Sequence, residues 1–323
     1  MLIVILAHLV SCEKGMVESI DEKVEEIDFS VHFTHDGELT KGSVIANAAG
    51  VANASGFDVW AYSHTGLWAS ALDKTIIINN TGLGYGHVTS SDAGLTWSYG
   101  TTQVWPLNKR VSFFAYAPHG KATLNGTVND VPKIDYVVPS SVAAQPDLMI
   151  ATPVYNRLGN IPVNEIFNHA LSRIKFSASK SNATLGEVII TGIEIRNIYS
   201  KGSTTLEVPS PTSWTVDNMV TDSYVLSSAA GGLTGAPLTN NEQDIISSTG
   251  TMFLMPQTLN ASAELYITFT VKGYNMNWTT PIPSPEVWLP GKTYNYQLLI
   301  DGDIVIVFCG EMESSEDIKW DDV

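Results

Sequence analysis

The chain has 323 residues and a formal net charge of −16, from 17 Lys and Arg against 33 Asp and Glu. This balance argues against a basic surface that could hold nucleic acid, and its two cysteines are too few for a disulfide framework. The length allows two domains of ordinary size, and the abundance of Ser, Thr, Asn, Gly, Val and Ile favours β-structure with many turns.

The first twelve residues, MLIVILAHLVSC, form an apolar run that is too short to span a bilayer as a helix. The segment Leu9–Cys12 fits the bacterial lipobox, at which signal peptidase cuts before a cysteine that is then acylated, although no basic residue precedes the run. We therefore predict a lipoprotein signal peptide over residues 1–12 and lipid attachment at Cys12, which would anchor the protein in the outer membrane. The alternative is a buried N-terminal strand. Residues 13–27 are acid-rich and are predicted to be a solvated tether.

Residues 28–155 are predicted to form a first β-domain, because short segments of alternating or continuous apolar residues are separated by turn residues. Residues 80–100 are rich in Gly, Asn, Ser and Thr and are expected to be a loop or a wandering hairpin. The segment Pro153–Pro162 has the composition of a linker. The predicted strands are Phe29–Phe33, Gly56–Tyr62, Thr75–Asn79, Lys109–Ala117, Asp135–Val138 and Asp147–Thr152.

The segment Val163–Ser179 is long, lies at the midpoint of the chain and contains neither Gly nor Pro. Its apolar residues alternate in one phase up to Leu171 and in the other phase from Ile174 onward. A slip of one residue in the alternation is typical of a β-bulge. We predict one long, bulged strand that opens a second domain over residues 156–323; the alternative is two short strands joined by a bend.

The rest of the second domain is also predicted to be strands and loops. Residues 206–249 are polar and are expected to form long surface loops, and Asp301–Gly302 is the type of dipeptide that closes a tight hairpin. The sequence therefore predicts an all-β protein of two tandem antiparallel β-sandwich domains, with Phe114 and Phe176 in the core. The further strands are Glu187–Tyr199, Thr251–Pro256, Ala263–Val271, Lys292–Ile300 and Asp303–Cys309.

We find no motif for a nucleophile, a phosphate loop, a dinucleotide or a protease zinc ion, and we predict no catalytic, cofactor-binding or metal-binding residue. His32 and His35 lack a second close pair of ligands, and His169 shares the phase of its apolar neighbours, which indicates a core position. Among the tryptophans, Trp214 and Trp278 lie in loop-like surroundings and are the best candidates for an exposed glycan-binding platform.

One further segment is unusual because it is apolar at every position: Ile304, Val305, Ile306, Val307 and Phe308. A strand that is buried on both faces has this composition, and so has a strand that inserts into a groove of another subunit. We regard the segment as a candidate donor strand. The alternative is the final strand of its own domain, closed by the Asp301–Gly302 hairpin.

Six segments in this order and spacing resemble the fimbrillin family of Bacteroides-type bacteria, the subunits of lipoprotein-derived surface pili. They cover about residues 28–300, and the lipobox agrees with them independently. The segments are GFDVWAYS (Gly56–Ser63), KRVSFFAYAP (Lys109–Pro118), DLMIATP (Asp147–Pro153), FNHALSRIKFSA (Phe167–Ala178), FLMPQTL (Phe253–Leu259) and LPGKTYNYQLLI (Leu289–Ile300).

The resemblance implies two transthyretin-like, Greek-key β-sandwich domains, export to the cell surface, and assembly with other fimbrial subunits. It also implies proteolytic removal of the N-terminal strand. Lys41 stands where the family commonly has Arg at the cleavage site. We therefore expect a structural or adhesive fimbrial subunit, or a fimbria-associated lipoprotein, that binds a host protein or glycan. The alternative function is a surface glycan-binding lipoprotein.

Overall fold

The computed structural model describes residues 25–33, 44–79, 86–124, 130–159, 161–207, 214–283 and 285–309. Cys12, Lys41, the predicted signal peptide, most of the predicted tether and the last fourteen residues (310–323) therefore lie outside the described residues. In the described part, no helix is long and apolar enough to cross a membrane.

The described residues form an all-β protein, as predicted. One short α-helix, α1 (Ala48–Asn53), and three 3-10 turns (Trp68–Ser70, Val142–Ala144 and Ala183–Leu185) accompany the strands. In chain order the strands are β1 (Phe29–Phe33), β2 (Phe57–His64), β3 (Thr75–Ile78), β4 (His87–Thr89), β5 (Ser98–Tyr99), β6 (Arg110–Ala117), β7 (Thr123–Leu124), β8 (Lys133–Val137), β9 (Met149–Ala151), β10 (Val154–Arg157), β11 (Val163–His169), β12 (Ser172–Lys180), β13 (Val188–Tyr199), β14 (Lys201–Thr205), β15 (Thr215–Val216), β16 (Thr221–Ser227), β17 (Gln243–Asp244), β18 (Met252–Leu254), β19 (Gln257–Thr258), β20 (Glu264–Val271), β21 (Tyr274–Pro281), β22 (Val287–Trp288), β23 (Thr293–Asp301) and β24 (Ile304–Cys309).

The largest sheet contains nine strands and has the order β1-β11-β9-β6-β2-β4-β5, with β10 paired to β6 and β3 paired to β2. Strands β2 and β6 lie at its centre and are buried on both faces. This double burial explains why their sequences are almost continuously apolar rather than alternating. Gly56 precedes β2 with φ +77°, and a Cβ there would lie 1.9 Å from the carbonyl oxygen of Val88, so only glycine fits.

The nine-stranded sheet separates two hydrophobic cores. Phe57 and Phe113 belong to the first core, whereas Trp60 and Phe114 on the opposite face belong to the second, larger core. The sheet curls around the first core. Tyr99 of β5, at one end of the sheet, therefore contacts the segment just before β1, at the other end. Its hydroxyl donates to the carbonyl oxygen of Ile27 at 2.9 Å.

Besides the short two-stranded sheet β19-β22, the second half of the chain forms two more sheets against the larger core. In one sheet, of five strands, β12 pairs with β17, β18 and β23, and β23 pairs with β24. The other sheet has the order β16-β13-β20-β21. Phe176 of β12 and Phe114 of β6 are both fully buried in the same core, as the sequence predicts.

Two features of the pairing differ from two independent antiparallel sandwiches in tandem. A four-stranded sheet of order β15-β14-β8-β7 combines strands from both halves of the chain. In addition, β1 pairs with β11 in parallel, and β12 pairs with β23 in parallel. The halves therefore contribute strands to common sheets and side chains to common cores, a long-range arrangement that local sequence patterns do not reveal.

The central segment Val163–Ser179 is two strands rather than one bulged strand. It breaks at Ala170 and Leu171, which are both buried, and β11 and β12 belong to different sheets. The slip in alternation has a physical reason: Phe167 points to the first core and Ile174 to the second. The change of sheet lies later than the expected domain boundary at residues 155 and 156, because β10 and β11 both pair within the first sheet.

Three segments that were expected to be loops, a hairpin or a linker contain strands. The polar stretch of residues 206–249 includes β16, in which Tyr224 and Leu226 alternate as buried residues and which is held by pairing with β13. The linker segment includes β10, which pairs with β6. Residues 80–100, expected to be a loop or a wandering hairpin, include the antiparallel pair β4 and β5, which extends the nine-stranded sheet. In each case the strand depends on long-range pairing rather than on its own composition.

Candidate functional site

Strand β24 forms one edge of the five-stranded sheet. The Asp301–Gly302 turn folds it back onto β23 in an antiparallel hairpin, and Gly302 adopts φ +70°, which suits glycine in such a turn. Among the described residues, β23 is its one strand neighbour. The candidate donor strand is therefore the final strand of its own sheet in this structure, which is the alternative interpretation of its sequence.

The side chains of β24 divide between two faces. Val305 is buried in the larger core, and Val307 packs against that core. Ile304, Ile306 and Phe308 are 44%, 42% and 50% exposed on the outer face. We call these three residues the β24 apolar row. An exposed apolar row along a sheet edge is a hazard for aggregation unless another chain covers it.

Strand β1 forms an edge of the nine-stranded sheet. It lies parallel to β11, with Val31 opposite Glu165. Phe29 and Val31 are buried, and the ring of Phe29 contacts the rings of Phe57 and Phe113 at centroid distances of 5.9 and 6.0 Å. Strand β1 therefore closes the first core at its side.

We call the surface that β1 covers the β1 seat, formed by Val163, Glu165 and Phe167 of β11 together with Phe57 and Phe113. Four of these five side chains are apolar. Glu165 is the exception: it is fully buried, and neither of its carboxylate oxygens has a hydrogen-bond partner among the described residues. Burial raises the pKa of Glu165 from its ordinary value of 4.5 to about 8.

The two tryptophans that were candidates for an exposed glycan-binding platform, Trp214 and Trp278, are not both at the surface. Trp214 is buried, and its indole N–H donates to the carbonyl oxygen of Ala170 at 2.8 Å. Trp278 is half-buried on β21, and Trp60 and Trp288 are core residues. A cavity of about 270 Å³ contacts Trp214 and Trp288. Its lining consists of Tyr199, Trp214, Val216, Pro256, Gln257, Thr258, Val287 and Trp288.

Two histidines each contact a buried aspartate. Nδ1 of His169 lies 2.8 Å from Oδ1 of the buried Asp147, and the histidine side chain is 12% exposed, so it lies at the border of the core rather than within it. Nδ1 of His119 lies 2.6 Å from Oδ1 of Asp58, which is also buried. Within the described ranges, no group of three or more His, Cys, Asp or Glu side chains could hold a metal ion.

The same fold occurs in solved structures of bacterial surface proteins. A fimbrial protein from Bacteroides vulgatus is 21% identical, with a TM-score of 0.61 over 90% of this chain and 99% of that chain. A candidate cell adhesion protein from Bacteroides ovatus is 16% identical, with a TM-score of 0.50 over 90% of this chain and 97% of that chain. A search of curated proteins finds no match.

These likenesses define the class as all-β proteins with the fold of a bacterial fimbrial protein. The sequence profile described as Fimbrillin-like matches residues 30–314, which is most of the chain. The protein therefore belongs to the fimbrillin-like family, as the resemblance of its six segments predicts. Membership implies a structural role at the cell surface, in association with fimbriae.

Proposed function

We propose that the protein is a subunit of a cell-surface fimbrium, that a lipid on Cys12 holds the uncut chain at the outer membrane, and that strand donation joins it to other subunits. The observation that carries this proposal is the β24 apolar row. The row lies on an edge strand with one strand neighbour among the described residues. Addition to the open sheet of a second subunit would satisfy backbone hydrogen bonds and cover apolar surface in one step.

The spacing of the β24 apolar row supports this proposal. Its members occupy positions i, i+2 and i+4 of a strand, as do Phe29, Val31 and Phe33 on β1. A donated strand with this spacing presents three apolar side chains to one face, which is the arrangement by which β1 closes its own sheet. Donation of β24 to a neighbouring subunit therefore needs no new type of packing.

The position of β1 suggests how a subunit could receive a strand. Lys41 lies in the segment 34–43, which connects β1 to residue 44 and contains the proposed cleavage site. Cutting at Lys41 would leave β1 attached by strand pairing and side-chain packing alone. Its departure would leave β11 as an open edge, with the β1 seat ready for another strand.

The rival function, a surface glycan-binding lipoprotein, depends on tryptophans that a sugar ring can stack against. Trp214 was a leading candidate, and it is buried with its indole N–H already bonded to Ala170. The described residues thus favour the structural role over the glycan-binding role. We propose no catalytic activity.

The test is whether the protein occurs in a polymer. Fimbriae sheared from cells should contain the protein, and unboiled samples on denaturing gels should show a ladder of multimers that collapses to one band on boiling. Cells that lack the gene are the control. A protein that stays with the cells and runs as a monomer without boiling would contradict the proposal.

A further inference from the structure

Glu165 is the one ionisable side chain in the otherwise apolar β1 seat. Its side chain is completely buried, in register with Val31 on one side of β11 and between Val163 and Phe167 along the strand. Within the described part of the chain, both carboxylate oxygens lack a hydrogen-bond partner. Buried polar groups in native proteins are almost always bonded, so an orphaned carboxyl needs an explanation.

The unpaired carboxyl of Glu165 makes the packing of β1 against the β1 seat less stable. Neighbouring strands lie about 4.8 Å apart, so the side chain at position 31 is the one on β1 that faces Glu165 most directly. In this chain that side chain is Val31, which has no polar atom to offer. Whether Glu165 is neutral or ionised, the unmade hydrogen bonds destabilise the state in which β1 is seated.

We propose that the β1 seat is built for a strand from a different subunit, one that carries a hydrogen-bond donor such as a hydroxyl, amide or ammonium group at the position of Val31, and that Glu165 recognises this donor. This inference rests on the proposed strand exchange. Replacing β1 by such a strand gives the buried carboxyl a partner without changing the apolar contacts on either side.

Residues 304–308 of a second copy of this chain do not supply such a donor. The segment Ile304–Phe308 is apolar at every position, so no register of β24 places a hydrogen-bonding side chain from this segment opposite Glu165. Specificity arises here from the cost of leaving a polar group unpaired. This protein then donates β24 to one subunit and receives a strand of different chemistry from another.

The first experiment uses the uncleaved chain and does not require strand exchange. Val31→Thr keeps the side-chain shape and adds a hydroxyl beside Glu165. The matched control is Val59→Thr, which adds a hydroxyl to an apolar position of the same core. The control should lower the melting temperature by a few degrees, whereas Val31→Thr should leave it unchanged or raise it.

In a Glu165→Leu background, Val31→Thr should become as harmful as the control, because the acceptor has been removed. An equal loss of melting temperature for Val31→Thr in the wild-type and Glu165→Leu backgrounds would overturn the inference.

The second experiment measures recognition directly. A specific protease site replaces residues 40–42, the chain is cut there, and labelled peptides of residues 25–33 compete with the resident β1. The peptide with Val31→Thr should bind about tenfold more tightly than the wild-type peptide. It should also bind more tightly than a peptide of residues 303–309, and the tenfold preference should vanish with Glu165→Leu.

The outcomes distinguish a failure of strand exchange from a failure of donor recognition by Glu165. If no peptide enters, strand exchange fails, and this inference fails with it. If both forms of the β1 peptide enter with equal affinity, strand exchange stands and the role of Glu165 alone is overturned.

Discussion

Asp147 and His169 meet with Oδ1 and Nδ1 2.8 Å apart, at the point where the chain leaves the first sheet. The other oxygen of Asp147 accepts the backbone N–H of Ile45 at 2.9 Å. One buried carboxylate therefore links the segment before α1 to the last residue of β11. The contact fixes where β11 ends and where the chain turns toward β12.

We predict that Asp147→Ala lowers the free energy of unfolding by about 2–4 kcal/mol, because it leaves the Ile45 N–H and the His169 ring without this acceptor. The exposed Asp303→Ala is the matched control and should have little effect. Chemical denaturation of both variants checks this prediction. A similar stability for the two variants would show that the Asp147 contact is not structural.

Glu165 predicts an unusual dependence of stability on pH. Its pKa is raised by burial from 4.5 to about 8, so the folded state holds the proton more tightly than the unfolded state. The stability that protonated Glu165 contributes is then fully present below about pH 4.5 and is lost as the pH rises toward about 8. The loss that Glu165 contributes between pH 5 and pH 8 should be roughly 3 kcal/mol.

The variant Glu165→Gln cannot titrate and separates this contribution from those of other groups. Unfolding free energies of both proteins are measured from pH 5 to pH 8. The wild type should lose more stability than the variant as the pH rises. Parallel curves would mean that Glu165 is hydrated or paired in solution.

The core predicts large losses for two aromatic truncations. Phe114 and Phe176 are fully buried in the larger core, so replacing either by Ala removes apolar burial and leaves a cavity. Each should lower the free energy of unfolding by about 3–5 kcal/mol. The control is Leu72→Ala at a side chain that is 98% exposed. An unchanged melting temperature in Phe176→Ala would contradict the packing of β12.

Lipid attachment at Cys12 remains a prediction from the lipobox. One acyl chain anchors a protein weakly and several anchor it stably, so the full modification should hold the chain at a membrane. Labelled palmitate should enter the wild type and should be absent from Cys12→Ala. Equal labelling of the two proteins would rule out this anchor.

Sequence patterns located those elements whose signal is local. The Asp301–Gly302 dipeptide lies between two apolar runs and predicted the hairpin of β23 and β24, and the alternating residues of Phe29–Phe33 predicted β1 with its correct bounds. Both depend on backbone preferences and side-chain alternation over a few residues.

Elements that depend on distant partners were missed or misplaced. The indole N–H of Trp214 is satisfied by Ala170, more than forty positions earlier, so loop-like surroundings wrongly suggested exposure. The polar strand β16 exists because β13 pairs with it. Glu165 lay within a segment that was predicted to be a strand, but its lack of a partner among the described residues becomes visible only when its neighbours in the fold are known.

The central claim is that the β24 apolar row joins this subunit to a fimbrium. The measurement is the fraction of protein in sheared fimbriae for the double variant Ile306→Lys, Phe308→Lys. Both side chains are about half exposed, so the double variant should fold with a near wild-type melting temperature. The control is Val225→Lys, at an apolar residue 56% exposed on β16.

We predict that the double variant folds but is lost from the polymer, while Val225→Lys enters at the wild-type level. A folded double variant that enters fimbriae as efficiently as the control would contradict the account.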